Sequence, residues 1–135
     1  MSSKHLAFIF DLVYSGTMKS LLFGCKRILK AFVYSWQGVK VLIKKEAAFR
    51  QDCAVFIIGL CVCLCLSLTG IQRALMMFSL FLILLMEAVN SAIETVVDRI
   101  SEKYHPLSGQ AKDMGSFLVL LAFINAIVVW GLILF

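Results

Sequence analysis

Three long apolar runs constrain this chain more than any other feature of its sequence. Residues 53–72 and 114–135 contain no charged residue, and residues 74–93 are interrupted only by Glu87. A helix needs about 20 predominantly apolar residues to cross a hydrocarbon core roughly 30 Å thick, and each run is long enough. The short connections leave no room for a separate soluble domain. We therefore predict a single all-α membrane domain whose transmembrane helices cover residues 47–68, 71–100 and 110–135.

The composition and the distribution of charge agree with this prediction. The chain is 61% hydrophobic and 16% charged, whereas a soluble domain is about half apolar and a quarter charged. Of the 13 lysines and arginines, only Arg73 lies outside the N-terminal segment and the loop that follows the second apolar run. The positive-inside rule therefore places the N-terminus and residues 101–113 in the cytoplasm. The net charge of +5 suits an anionic membrane surface or phosphate-bearing ligands, and nothing indicates nucleic acid.

The segment before the first span is amphipathic. Residues 24–45 place apolar side chains along one side of a helix and lysines along the other, a pattern typical of a helix that lies in the membrane surface. Residues 1–23 form an N-terminal extension with an apolar patch. We assign no chemistry to this extension.

A polar stripe follows the second apolar run. Glu87, Asn90, Glu94 and Asp98 are spaced i, i+3, i+7 and i+11, so they share one face of a helix. Glu87 and Glu94 would lie roughly 10 Å apart along the axis, with Glu87 among the acyl chains and Asp98 at the headgroups. An ionisable side chain at the depth of Glu87 costs about 3 to 17 kcal/mol. Spacing alone leaves three interpretations open: a helix-packing seam, a proton or ion pathway, and a catalytic site.

The catalytic interpretation gives each acid a different task. An acid near the aqueous end, with a partner from another helix, can hold Mg²⁺ whose remaining ligands are phosphate oxygens. Glu94 with Glu46 suits this role, and the deeper Glu87 suits a general base acting on a hydroxyl. Cations that could neutralise a polyphosphate are Lys112, Lys103 and Arg27. Because the sequence has no glycine-rich phosphate loop, any nucleotide site would be of an unusual kind.

Other polar residues near the spans have structural interpretations. Glu46 and Arg50 form an i, i+4 pair, and Asp52 completes the polar cap of the first span. In the third span, Asn125 is expected to make an interhelical contact. Trp130 is expected to anchor that span at the membrane interface.

Three strings of residues closely resemble the prokaryotic diacylglycerol kinase family. They are residues 46–51 (EAAFRQ), 87–99 (EAVNSAIETVVDR) and 104–116 (YHPLSGQAKDMGS). Residues 31–38 (AFVYSWQG) are similar to the surface helix of that family. The resemblance covers about residues 24–135, whereas residues 1–23 exceed the short N-terminus usual in the family.

The resemblance implies a homotrimeric, multi-pass kinase of the bacterial inner membrane, with active sites shared between subunits at the cytoplasmic face. Such an enzyme transfers the γ-phosphate of MgATP to the primary hydroxyl of diacylglycerol and forms phosphatidic acid. A sister branch phosphorylates undecaprenol, but the strings look more like the diacylglycerol branch. A small oligomeric transporter that uses the acidic stripe remains the alternative from a different class.

The resemblance also implies roles for individual residues. Glu87 would be the general base, and Glu46 and Glu94 the metal ligands. The implied nucleotide-binding positions are Arg27, Tyr34, Glu46, Asn90, Glu94, Lys103, Tyr104, His105, Lys112 and Asp113. The implied lipid-binding positions are Arg27, Ala31, Ser35, Trp36, Ala48, Arg50, Gln51, Glu87 and Ser116.

Overall fold

The protein is all-α, as the sequence predicts. The computed structural model describes the backbone of residues 3–101, 103 and 105–135, and the side chains of residues 23, 24, 26–101, 103 and 105–135. This part of the chain contains no strand and forms four helices: α1 (Ser3–Lys45), α2 (Ala47–Cys65), α3 (Gly70–Ile100) and α4 (Pro106–Leu134). Helices α2, α3 and α4 are each long and apolar enough to cross a membrane.

The chain divides into two compact units, residues 1–40 and 41–135. The first unit is helical from Ser3 onward and lies within α1, which continues through the predicted boundary at residue 23 without a break. Every side chain from Lys26 to Lys40 is exposed. The Lys40 ammonium lies 5.6 Å from the centroid of the Trp36 ring, within the range of a cation–π contact. Such exposure of apolar and basic side chains is what a membrane-surface helix requires.

In the second unit, α3 packs against both α2 and α4. The core of the α3–α4 contact contains Leu80 and Ile83 from α3 and Ala122 and Ala126 from α4. The fully buried residues of α4 are these two alanines and Gly115, so all three are small. Small residues allow two membrane helices to approach closely, and the polar stripe of α3 lies at this close contact.

The boundary between α1 and α2 falls at Glu46, whose backbone is extended. The Arg50 guanidinium donates to the main-chain carbonyls of Ile43, at 3.1 Å, and Glu46, at 3.2 Å. The predicted ion pair between Glu46 and Arg50 is therefore wrong: the Arg50 guanidinium binds main-chain carbonyls at the junction of α1 and α2. The Glu46 side chain does not cap α2, and this leaves its carboxylate available for other contacts.

The turn between α2 and α3 is fixed by caps at both helix ends. Arg73 donates to the carbonyl of Cys63 at 3.2 Å and to that of Leu66 at 3.5 Å, so it binds carbonyls at the end of α2. Thr69 and Gln72 form a reciprocal capping box at the start of α3. Because Leu66 is already extended, α2 ends at Cys65, and the predicted end at residue 68 is wrong.

Helix α4 begins at Pro106, so the predicted start at residue 110 is also wrong. Proline favours the first turn of a helix because its φ is already helical and it lacks an N–H. His105 is the N-cap, and its Nδ1 accepts a hydrogen bond from the Leu107 N–H at 3.2 Å. These two features start the helix one turn before Ser108 and Gly109.

Trp130 makes a tertiary contact, and its role as an interface anchor stays a prediction. Its indole N–H donates to the Met76 carbonyl of α3 at 3.4 Å, and the same carbonyl accepts from the Ser79 hydroxyl at 2.7 Å. The Trp130 ring also lies beside Gly59 of α2, so it bridges the three helices. Asn125, for which an interhelical contact is predicted, is exposed in the single chain.

Candidate active site around the third helix

The polar stripe of α3 passes from buried to exposed along the helix. Glu87 is 6% exposed and Asn90 is 9% exposed. Glu94 is half-buried and Asp98 is exposed. With a rise of about 1.5 Å per residue, Glu87 lies about 26 Å from the start of α3, near the limit of a hydrocarbon core roughly 30 Å thick. The stripe thus joins a deep carboxylate to a surface carboxylate on one rigid helix.

The Glu87 carboxylate lies in a group of acidic side chains. The charges of Asp52, Glu94 and Glu46 all act on it. Glu87 makes no ion pair and no hydrogen bond to any side chain whose position the structure describes. A buried carboxylate without a partner is destabilising. The four acids are not arranged around one metal position, so this group is a candidate for accepting a proton or for holding a cation that a ligand also binds.

Asp52 belongs to this group although the sequence analysis assigned it to the polar cap of the first span. It is 8% exposed and lies on the buried face of α2 together with Phe49, Gly59 and Cys63. The helical spacing of these residues, i, i+3, i+10 and i+14, was the signal that could have identified Asp52 as inward-facing.

The residues present fit a magnesium ion that is shared with a phosphate. The described part of the chain holds no group of three or more His, Cys, Asp or Glu side chains arranged around one metal position. Mg²⁺ does not need such a group, because it takes one or two protein carboxylates and completes its shell with water and phosphate oxygens. The Glu46 side chain is not used as a cap, and Glu94 is held by the Asn90 amide N–H at 3.3 Å. Both predicted metal ligands are therefore suitable carboxylates.

Asn90 is the polar residue most tightly held between helices. Its Nδ2 donates to Glu94, and its Oδ1 is buried without a hydrogen-bond partner. A buried acceptor without a partner costs about 1–3 kcal/mol. The same oxygen lies against Gly115 of α4. The sequence analysis did not identify Gly115, because an isolated glycine in an apolar span gives no signal of its own.

A polar cleft of about 340 Å³ lies between the end of α3 and the start of α4. It contains four of the predicted nucleotide-binding residues: Lys103, His105, Lys112 and Asp113. Tyr104, predicted with them, lies outside the described residues. Because His105 Nδ1 accepts from the Leu107 N–H, the neutral ring carries its proton on Nε2.

Lys112 is paired with an acid in this cleft. Its ammonium lies 2.6 Å from the Asp98 carboxylate, and the two side chains are 39% and 64% exposed. Ion pairs with this much exposure contribute about 0–1 kcal/mol. Exchange of Asp98 for a phosphate oxygen therefore costs little, so Lys112 remains available to an anionic ligand.

The predicted lipid-binding residues are mostly exposed. Ala48 and Gln51 are exposed on the first turns of α2, and Ser116 is exposed beside Gly115 on α4. Four further predicted lipid-binding residues lie on α1 in the first unit, and all are exposed: Arg27, Ala31, Ser35 and Trp36. Tyr34, predicted to bind the nucleotide, is exposed on the same helix. The structure describes that unit by itself, so their participation in the site stays a prediction.

The chain is similar to a known family over most of its length. The family model for prokaryotic diacylglycerol kinase matches residues 33–134. The chain is 45% identical over 111 residues to a diacylglycerol kinase of Escherichia coli, covering 82% of this chain and 91% of that protein. It is 43% identical over 112 residues to one of Haemophilus influenzae, with 83% and 95% covered. For one of Pseudomonas aeruginosa the identity is 43% over 111 residues, with 82% and 90% covered. A match of this extent shows that the chain belongs to the prokaryotic diacylglycerol kinase family.

Proposed function

We propose that this protein transfers the γ-phosphate of ATP to the primary hydroxyl of diacylglycerol and releases phosphatidic acid and ADP. The observation that carries the proposal is the arrangement on α3. The buried Glu87 and the half-buried Glu94 lie on the same helix as Asp98 at the wall of the polar cleft. This helix connects a membrane-embedded acid, which a lipid can reach, to the polar cleft, which a nucleotide can reach. The relatives that match the chain are diacylglycerol kinases.

Glu87 is the proposed general base. It is buried and has no described cation beside it, so its carboxylate oxygen is free to accept a hydrogen bond from the lipid hydroxyl. As the hydroxyl oxygen attacks the γ-phosphorus, its proton passes to Glu87 and the bond between the γ-phosphorus and the bridging oxygen breaks. A positioned base contributes about 10²- to 10⁴-fold to such a step.

Glu46 and Glu94 are the proposed Mg²⁺ ligands. When bound, Mg²⁺ would neutralise charge on the transferred phosphoryl group. Asn90 supports this role because its amide N–H holds Glu94. The like charges of Glu46, Asp52 and Glu94 around Glu87 also favour a divalent cation at this place.

The polar cleft is the proposed site for the phosphates and ribose of ATP. Lys112 exchanges Asp98 for a phosphate oxygen, while Lys103 adds positive charge and the His105 ring donates from Nε2. Asp113 lies in the same cleft and accepts hydrogen bonds from the nucleotide. By family resemblance, Tyr104, Arg27 and Tyr34 complete the nucleotide site.

The lipid side and the assembly are proposed from family resemblance together with exposure. The residues proposed to line the lipid site are Ala31, Ser35, Trp36, Ala48, Arg50, Gln51 and Ser116. The protein is a homotrimer of the bacterial inner membrane, with shared active sites and with its N-terminus and residues 101–113 in the cytoplasm. The subunit has three membrane helices with many exposed apolar side chains, and these side chains can pack against the helices of further copies.

A substrate assay tests the proposal. The full chain is expressed in a host strain that lacks its own diacylglycerol kinase, purified in detergent, and incubated with MgATP and one lipid at a time. We expect phosphatidic acid from diacylglycerol at a rate at least tenfold above that of undecaprenol phosphorylation. Ser67→Ala, which changes an exposed side chain in the turn between α2 and α3, is the control and should retain activity. The reverse lipid preference would assign the protein to the undecaprenol branch, and ATP turnover without any phosphorylated lipid would support the transporter.

A further inference from the structure

Gly115 of α4 lies directly against the amide oxygen of Asn90 of α3. A Cβ atom built at Gly115 would collide with the Asn90 Oδ1 and would lie 3.4 Å from its Cγ. Asn90 is nine-tenths buried, and Gly115 is buried as well. One α-hydrogen of Gly115 takes the direction of the absent Cβ, so it points at the amide oxygen. A Cα–H···O contact of this kind recurs between closely packed helices.

This contact leaves the Asn90 side chain little freedom. The amide oxygen faces the α4 backbone without another partner, while the amide nitrogen donates to Glu94 at 3.3 Å. The nitrogen is the only end of the amide that can donate, and a carboxylate can only accept. The two ends of one planar group are thus held by two different helices.

Neither helix can easily move away if the glycine is replaced. Ala122 and Ala126 of α4 also pack closely against Leu80 and Ile83 of α3. The distance between the two helix backbones therefore depends on these contacts as well as on Gly115. An added methyl group must therefore be accommodated by rotation of the Asn90 amide, and rotation carries Nδ2 away from Glu94. Ile93, whose Cδ1 would lie 3.5 Å from the added carbon, leaves no space on that side.

We infer that Gly115 is a positioning residue for the metal site and that it acts through Asn90. Its lack of a side chain lets the α4 backbone hold the Asn90 amide in the orientation that directs its N–H groups at Glu94. This inference rests on the proposed role of Glu94 as a Mg²⁺ ligand. It adds a second residue, from a different helix, to Asn90 in orienting that carboxylate.

Gly59 provides a matched control. It is also buried on a membrane helix, and a Cβ there would collide with the Leu80 Cδ1 and lie 3.3 Å from the Trp130 ring. Its neighbours are therefore apolar side chains remote from the carboxylates. Gly59→Ala and Gly115→Ala both add one methyl group to a tight helix contact, but only the second adds it against the amide that holds Glu94.

The experiment measures Mn²⁺ binding to the full chain in detergent, by electron paramagnetic resonance of the free ion, alongside thermal unfolding. We expect Gly115→Ala to weaken Mn²⁺ binding at least fivefold, and Gly59→Ala to lower the unfolding temperature without changing Mn²⁺ binding. In the Asn90→Ala background, Gly115→Ala should have no further effect on Mn²⁺ binding, because the group through which it acts is gone. Equal Mn²⁺ binding in Gly115→Ala and wild type, or additive losses in the double variant, would overturn the inference.

Two further variants, the double variant and Glu94→Gln, complete the experiment. If Gly115→Ala alone does not fold, the double variant that also carries Asn90→Ala must fold and must bind Mn²⁺ as Asn90→Ala does. Failure of this double variant to fold would show that Gly115 serves packing only. Glu94→Gln separates the inference from the proposed function. Unchanged Mn²⁺ binding in Glu94→Gln refutes the proposed metal role itself, whereas a loss in Glu94→Gln without a loss in Gly115→Ala refutes the inference alone.

Discussion

With Lys112 as the proposed ligand of the ATP phosphates, removal of the Asp98 charge should strengthen ATP binding. The two side chains form an ion pair at 2.6 Å, but they are 39% and 64% exposed. Solvent screening limits such a pair to about 0–1 kcal/mol. Since 1.4 kcal/mol corresponds to a tenfold change in affinity, release of Lys112 is worth up to about fivefold. Loss of a negative charge from the cleft acts in the same direction, because the ligand is itself a polyanion.

Asp98→Asn therefore lowers the KM for ATP by up to about fivefold at low salt, and the difference shrinks at high salt as the charges are screened. The assay is phosphatidic acid formation at saturating lipid with ATP varied, at two salt concentrations. Asp98→Glu, which keeps the charge, is the control and should retain the wild-type KM. A rise in the KM for ATP in Asp98→Asn would refute the reasoning, since it would show that Asp98 holds Lys112 in its binding position.

Three further substitutions test particular contacts. Trp130→Phe keeps an aromatic side chain, although a smaller one, and removes the hydrogen bond to Met76. It should destabilise the fold by at least about 0.6–1.5 kcal/mol in chemical unfolding experiments and leave the KM for ATP unchanged. Asn125→Val removes an exposed amide from α4. If that amide binds a second copy, cross-linking should show that the variant assembly dissociates at a lower detergent concentration than wild type. Unchanged cross-linking would contradict this contact. Asp52→Asn relieves the repulsion with Glu87, so it should raise the unfolding temperature. Because it also removes a negative charge from the acidic group, it should increase the Mg²⁺ concentration needed for half-maximal activity. A lower unfolding temperature would refute this prediction.

The membrane helices could be predicted from the sequence because hydropathy and length decide them. The apolar runs correspond to α2, α3 and α4, and the polar spacing on α3 predicted a face that is indeed graded in burial. The helix ends were less predictable, since they depend on individual caps. Pro106 with His105 starts α4 early, and the extended Leu66 ends α2 early.

The site was only partly predictable because its geometry depends on contacts between helices. Spacing identified Glu87 and Glu94 and offered metal and base roles as one of three interpretations. The helical spacing along α2 could have shown that Asp52 faces inward, but no local pattern showed that Gly115 contacts Asn90. Resemblance to the family, rather than spacing, favoured the metal and nucleotide roles. Those roles remain proposals that substitutions must test.

The most direct test of the central claim is single-turnover phosphoryl transfer by Glu87→Gln. The amide has nearly the shape of the carboxylate but cannot accept the proton of the lipid hydroxyl. We expect a rate about 10²- to 10⁴-fold below wild type, with the ATP affinity retained and the unfolding temperature equal to or above that of wild type. Transfer at the wild-type rate by a folded Glu87→Gln variant would contradict the account.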